Sequence, residues 1–317
     1  MVLFINDLCD NVKPPTYLSF FTASFSIFVS IVASGGNFLV VFAVIWNPYK
    51  DLQKPFHYFV ANLAIADLVV GVILGPLSSI VHIFEGLDII LTQHFQDVVH
   101  VVYFTFCTTS FLSLTALTLE RYLAIMHPAI YRNNLRPVRA LLVFPLLWIF
   151  SILLAMIYFI VGYEKYRLIF ANIALAVAII EMIFTNVKIL KHLRHQMQQW
   201  EALRNSSEEN LLMKQLMMWE KKMTKTLRTV IFLFIAFYLP SCVFMYIINL
   251  CADCDCTFVH WIRDIQWLLV MTTSAVNPFV YAMRLENFRR VFRRILTCRV
   301  CRSDGSVLKH NHDYEPL

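Results

Sequence analysis

Glycine and proline are scarce in this 317-residue chain, at 7 and 11 residues. A membrane β-barrel consists of short alternating segments divided by turn residues, so a chain this poor in both argues against that architecture. Charge is scarce too. Asp, Glu, Lys and Arg supply 15% of the residues, against about 25% in ordinary soluble domains. With 59% hydrophobic residues and a mean hydropathy of +0.63, the chain carries more apolar surface than a soluble fold can hide. No cleavable leader is expected either: residues 1–17 contain Asp7, Asp10, Pro14 and Pro15 and lack a basic-then-apolar order. The first apolar run is therefore expected to serve as its own insertion signal. No metal cluster or activated nucleophile stands out, which argues against an enzyme.

What the chain has instead is long apolar runs. They lie near 18–46, 56–83, 97–126, 140–161, 169–190, 228–250 and 261–283. A helix needs roughly 20 apolar residues to cross the hydrocarbon core, and in lipid its backbone groups must be satisfied within the segment. The expected fold is therefore all-α, a bundle of seven transmembrane helices at 18–283. Residues 1–17 precede it, and 284–317 form an interfacial helix and a tail. Seven crossings place the two termini on opposite sides. Lysine and arginine collect on the cytoplasmic side of membrane proteins. The joins after spans one, three and five, with the C-terminal segment, hold Lys50, Lys54, Arg132, Arg136, Arg139, Lys191, Arg194, Lys221, Lys222, Lys225 and the arginines of 284–302. The opposite set holds Lys13, Lys165, Arg167 and Arg263. The N-terminus is thus expected outside, in a multi-pass protein of the plasma membrane. The formal charge of +6 then reflects orientation and not nucleic-acid binding. The one Asn-x-Ser/Thr match, Asn205-Ser206-Ser207, falls in the inner join between spans five and six, where glycosylation does not occur.

Polar residues inside the spans need a reason, because a charge at mid-bilayer costs about 2.5–3.5 kcal/mol on insertion scales. Span one contains Asn37 after Gly35-Gly36, and span two contains Asp67 within Asn62–Leu68. Span three carries Ser110 and ends Glu120-Arg121-Tyr122; span seven reads Ser274-Ala275-Val276-Asn277-Pro278-Phe279-Val280-Tyr281. With Trp148 in span four and Phe234 and Pro240 in span six, these residues resemble, in order and each on its proper span, those of the rhodopsin-like (class A) G-protein-coupled receptors.

The resemblance implies roles. Arg121 would be the conformational switch, paired with Glu120 and with Glu220 at the inner end of span six. Release of that pairing would let span six swing outward to admit a heterotrimeric G protein, with Tyr122 and Tyr281 in the same machinery and arrestin a further partner. Asp67, Ser110, Ser274 and Asn277 match positions that surround an allosteric sodium ion in many such receptors, and a hard cation wants oxygen ligands. A protonated Asp67 bonded to Asn37 and Asn277 is the alternative, and it stays open here. Pro240 kinks span six; Tyr238 stands where the family usually has tryptophan. The implied ligand pocket is lined by His100, Tyr103, Cys107, Tyr238, Met245 and Met271, a mixed aromatic and sulfur surface suited to a small, rather apolar ligand.

Beyond span seven, Phe288, Val291, Phe292, Ile295 and Leu296 alternate at helical spacing with Arg289, Arg290, Arg293 and Arg294, the pattern of a short helix lying on anionic membrane lipids. Cys298 and Cys301 follow, as candidates for palmitoylation.

The chain departs from the family pattern at the outer side. The usual cysteine at the outer end of span three is Gln96, and the short join after span four has none. The outer cysteines are Cys9, Cys251, Cys254 and Cys256, which permit two disulfides in three connectivities; one bridge inside the join between spans six and seven and one from Cys9 would tie the N-terminus across the pocket. Ala178 replaces the span-five proline and Asn186 a tyrosine. Together these departures lean toward the melanocortin, cannabinoid and lysophospholipid receptor group. Tyr103 replaces the amine-binding aspartate and Met271 the retinal-binding lysine, so the resemblance favours neither ligand class. Glu181 lies in span five, and its facing is not readable. A transporter or channel is the competing class, but inverted repeats and charged residues lining several spans are not seen. A seven-span protein that binds without signalling is the other alternative.

Overall fold

The computed structural model describes residues 9, 12–46, 52–134, 137–192, 195, 198, 208–251 and 254–296. Cys298, Cys301 and the Ser206-Ser207 pair lie outside the described residues. The architecture is a bundle of seven helices. Six of them are long and apolar enough to cross a membrane: Thr16–Trp46, Pro55–Gly86, Gln93–Met126, Leu141–Val161, Lys165–His192 and Met217–Leu250. The seventh, Cys256–Arg284, has the length but carries Arg263 and Asp264 inside its apolar run, and it buries both against its neighbours. One end of the bundle holds the disulfides and is called the disulfide end below. The other is the Arg121 end.

Local chemistry explains how the spans begin, bend and join. Thr92 caps span three by accepting the Phe95 N–H at 3.4 Å, and Asp255 caps span seven by accepting the Thr257 N–H at 3.3 Å. These caps satisfy N–H groups that a helix leaves orphaned. Span two contains a π-helical turn, Val70–Leu74, directly before Gly75-Pro76. Proline donates no N–H, and the widened turn absorbs the missing hydrogen bond without breaking the helix. Span five has a second π turn at Thr185–Ile189, and Ala178 lies fully buried in the uninterrupted helix before it.

Spans four and five meet at a single residue. The expected join Gly162–Leu168 is almost entirely helical: span five starts at Tyr163, and Gly162 alone turns the chain, at φ 85°. Only glycine occupies that left-handed region freely. Span six runs unbroken as Glu208–Leu250 through Pro240, so its Arg121 end projects well beyond the apolar segment.

Close approach of the backbones relies on small residues. A Cβ on Gly36 would come within 2.9 Å of the Pro278 ring, so glycine is what lets span one lie against span seven. Asn37 then donates to the Ser274 carbonyl at 2.9 Å. Spans two, three and four are stitched by Asn62, which donates to Ser113 at 2.7 Å and accepts from the Trp148 indole at 3.2 Å. A Glu286–Leu296 helix follows span seven and packs Phe288 into the core.

Candidate functional site

Arg121 is the largest fully buried side chain in the described protein. Its Nε and Nη2 donate to the two oxygens of Glu120, each at 2.5 Å, and its Nη1 donates to Glu220 Oε2 at 2.6 Å. The planar fork of a guanidinium suits such paired carboxylates, and charge-assisted bonds of this kind are the strong ones. Tyr131, on the short Pro128–Asn134 helix, donates to Glu120 at 2.7 Å. Burial, and then the Glu120 charge, hold the Tyr131 phenol protonated far above its usual range, which fixes it as a donor. The Phe56 ring lies 4.7 Å from the guanidinium carbon. Tyr122 points elsewhere, its ring 5.2 Å from Phe184. Tyr281 is buried, with no hydrogen-bond partner for its hydroxyl among the described residues.

Midway along the bundle, the Asp67 carboxylate accepts from Ser110 at 3.0 Å, Ser274 at 2.8 Å and Asn277 at 2.7 Å. All three donors are uncharged. Two small cavities flank this cluster. One is lined by Cys107, Ser110, Tyr238, Met271 and Ser274 with neighbouring apolar residues, and the other lies deeper, against Ser110, Phe234 and Asn277.

Of the six residues expected at a ligand pocket, the structure brings Cys107, Tyr238 and Met271 around one cavity. Tyr103 sits one helical turn above Cys107, its ring stacked on Trp267 at 4.8 Å and 21°. Trp267 in turn donates to Ser78 at 2.6 Å, and both rings are buried. His100 belongs to a separate cluster, stacked on Tyr163 at 4.3 Å and bonded to the Tyr158 hydroxyl at 3.1 Å; Tyr158 donates onward to Asp97 at 2.8 Å. Met245 is buried but lines neither cavity. The sequence reading missed Trp267, Tyr158 and Tyr163. Aromatic residues on apolar spans carry no mark of facing inward, although Trp267 lies one turn before Met271 and so shares its face of span seven.

A second ionic cluster lies at the disulfide end, and the sequence reading missed it as well. Arg263 donates to both oxygens of Glu85, at 2.7 and 3.0 Å, and from Nε to Asp264 at 2.6 Å. Thr22 donates to the other Asp264 oxygen at 2.7 Å, and His82 and Ser19 each lie 3.2 Å from Glu85. The adjacent charges Arg263-Asp264 inside an apolar run were the available signal.

The four cysteines at the disulfide end form Cys9–Cys256 and Cys251–Cys254. Beside the first bridge, His260 Nε2 donates to the Val12 carbonyl at 2.9 Å, so the N-terminal segment lies against the start of span seven. Cys107 and Cys242 remain buried thiols. Glu181 faces the bundle near Thr115 and Thr118, buried, with no hydrogen bond in good geometry at either carboxylate oxygen among the described residues.

This chain belongs to the rhodopsin family of seven-transmembrane receptors, whose pattern it matches over residues 36–167 and 163–281. It is 27% identical to the human adenosine receptor A2a, over 86% of this chain and 71% of that one. Mouse melanocortin receptor 5 is 24% identical, over 85% of this chain and 83% of its own. Mouse 5-hydroxytryptamine receptor 2B is 26% identical, over 85% and 70%. The protein is a G-protein-coupled receptor in the membrane and not an enzyme. Receptors named for adenosine, melanocortin and 5-hydroxytryptamine match it about equally, so similarity does not select a ligand.

Proposed function

We propose that this receptor is held in a closed state by Arg121 and that an extracellular ligand opens it toward a heterotrimeric G protein. The observation that carries the reading is the fully buried Arg121 guanidinium, bound to Glu120 on its own helix and to Glu220 on span six. The second bond is the one that outward motion of span six breaks. Glu220 keeps 27% of its side chain exposed, so water can take over its hydrogen bonds at little cost once the helix moves. In this reading the disulfide end faces outside at the plasma membrane, and the Arg121 end receives the G protein and, in turn, arrestin. The ligand enters above the Tyr103–Trp267 pair and acts on the sulfur and aromatic lining of Cys107, Tyr238 and Met271. That lining favours a small, rather apolar molecule. The Glu286–Leu296 helix rests its arginine face on anionic lipid, with Cys298 or Cys301 palmitoylated beyond it.

Basal nucleotide exchange tests the switch. Glu220→Gln removes the charge but keeps the shape, and basal exchange is expected to rise severalfold over wild type at equal receptor amount, the shift that about 1 kcal/mol from a partly exposed ion pair produces. Unchanged basal exchange in this variant overturns the lock.

The residues around Asp67 also fit a sodium ion. The donor set is one carboxylate and two hydroxyl oxygens, with the Asn37 side-chain oxygen buried nearby and lacking a hydrogen-bond partner among the described residues. Asp67, Ser110 and Ser274 would hold the ion, with Asn277, the fourth residue expected there, donating to the Asp67 carboxylate beside it, and the ion's charge would balance the carboxylate. Thermal stability of the purified receptor is expected to rise with sodium chloride and not with choline chloride. Asp67→Asn is expected to remove that difference; a sodium effect that survives the substitution sinks the site.

A further inference from the structure

The face of span six that carries Glu220 also carries Trp219, and the surroundings of this ring reach further than the ion pair does. Lys54, just before span two, places its Nζ 3.7 Å from the Trp219 ring centre. The Arg121 guanidinium lies 5.6 Å from the same ring. His57 approaches it at 6.2 Å, and Phe288 of the last helix backs His57 at 5.7 Å. Arg121 meets Glu120 and Glu220 along its edge, as planar forks do, which leaves its faces to aromatic rings. The negative face of an indole attracts cations within about 6 Å, and tryptophan does so best. Lys54 and Arg121 repel each other, so a site where both converge needs negative charge to hold it closed. Two consecutive residues of span six provide it: a π face from Trp219 and a carboxylate from Glu220.

We propose that Trp219 is a positioning residue of the switch, an aromatic clamp that binds Lys54 and Arg121 together and fastens span six to the start of span two as well as to span three. The proposal rests on the Arg121 switch reading. The clamp differs physically from the ion pair. Glu220 is partly open to water and salt, so its grip weakens as ionic strength rises. Trp219 gives the same two cations a second hold that does not depend on the Glu220 carboxylate, so the clamp helps keep the closed state populated when the ion pair is weakened.

The test measures basal nucleotide exchange by the full-length receptor in lipid nanodiscs, at matched receptor amounts, with purified G protein and no ligand. Trp219→Ala is expected to raise basal exchange about three- to tenfold, the shift that losing contacts of this kind produces. Trp219→Phe, which keeps a weaker π face, is expected to stay within about threefold of wild type. Lys54→Met keeps the aliphatic stem and removes the charge, and is expected to raise exchange by a smaller factor. If Trp219 acts through its cations, Lys54→Met has a clearly smaller effect in the Trp219→Ala background than in wild type, what remains being its attraction to Glu220. Additive effects of the two substitutions assign Trp219 to packing alone and overturn the clamp. Glu220→Gln separates the two layers of the reading. If it raises exchange while Trp219→Ala does not, the clamp fails and the switch stands. If neither raises exchange, the switch fails and the clamp with it. Should Trp219→Ala fold poorly, Lys54→Met decides: basal exchange equal to wild type overturns the proposal.

Discussion

Replacing Arg121 with alanine is expected to abolish G-protein nucleotide exchange, basal and ligand-driven alike, with a loss of at least about tenfold at matched receptor amounts. Arginine at this position has two jobs that alanine cannot share. In the closed state its guanidinium joins Glu120 to Glu220 across two helices. On opening, the same five-donor fork is freed from Glu220 at the end of the bundle where the proposed G-protein site lies, on a long side chain with no competing carboxylate from span six. Arg121→Lys keeps the charge but gives up the fork, and is expected to retain partial exchange. The receptor is expected to survive both changes in part, because Tyr131 still donates to the Glu120 carboxylate. Full exchange by Arg121→Ala would end the switch assignment.

The largest effect on stability is expected at the other end of the bundle. Arg263 is 2% exposed and lies between Glu85 and Asp264. Among the described residues, Arg263→Ala removes the one guanidinium bound to both acids and leaves the buried Asp264 and largely buried Glu85 with hydroxyl and imidazole donors alone. Breaking a buried ion pair from one side costs about 3–5 kcal/mol, because the remaining charge is uncompensated. The melting midpoint in detergent, followed by a thiol-reactive dye on the buried Cys107 and Cys242, is expected to fall by about 5–15 °C. Neutralising all three residues together, as Arg263→Met with Glu85→Gln and Asp264→Asn, is expected to recover most of that loss. A midpoint unmoved by Arg263→Ala would show that the cluster does not hold the bundle together.

The contrast between these two arginines shows what the sequence could reveal. Arg121 was legible because it ends an apolar run beside Glu120, in a motif whose context on span three is distinctive. Its tie to Glu220 came from the resemblance and not from periodicity. The spans themselves were legible because twenty apolar residues have few other uses. Arg263 was counted among the outer charges and Glu85 among the joining residues, and a bond between residues 178 apart leaves no periodic trace. The join after span four was also misread: Tyr163–Leu168 are polar enough to pass for a loop, yet Gly162 alone makes the turn and the helix begins at once. Trp219 carried no signal at all, since its meaning depends on where Lys54 and Arg121 arrive in space. The pocket was half legible. Cys107 and Met271 line one small cavity, while Tyr103 stacks instead on Trp267, whose partner is a serine on span two.

The two arginine clusters share a plan: each arginine binds an acid adjacent in its own helix and a second acid on another helix. What differs is the freedom of the far acid. Glu85 is only 13% exposed and shares the disulfide end with the Cys9–Cys256 bridge, whereas Glu220 is 27% exposed and lies toward the free end of a 43-residue helix. Mechanically, the bundle is a beam clamped at one end and latched at the other. Opening of the bundle is expected to cost least at the latch, where the far acid is the more exposed of the two. In the proposed reading, the end that yields first is the end that receives the G protein.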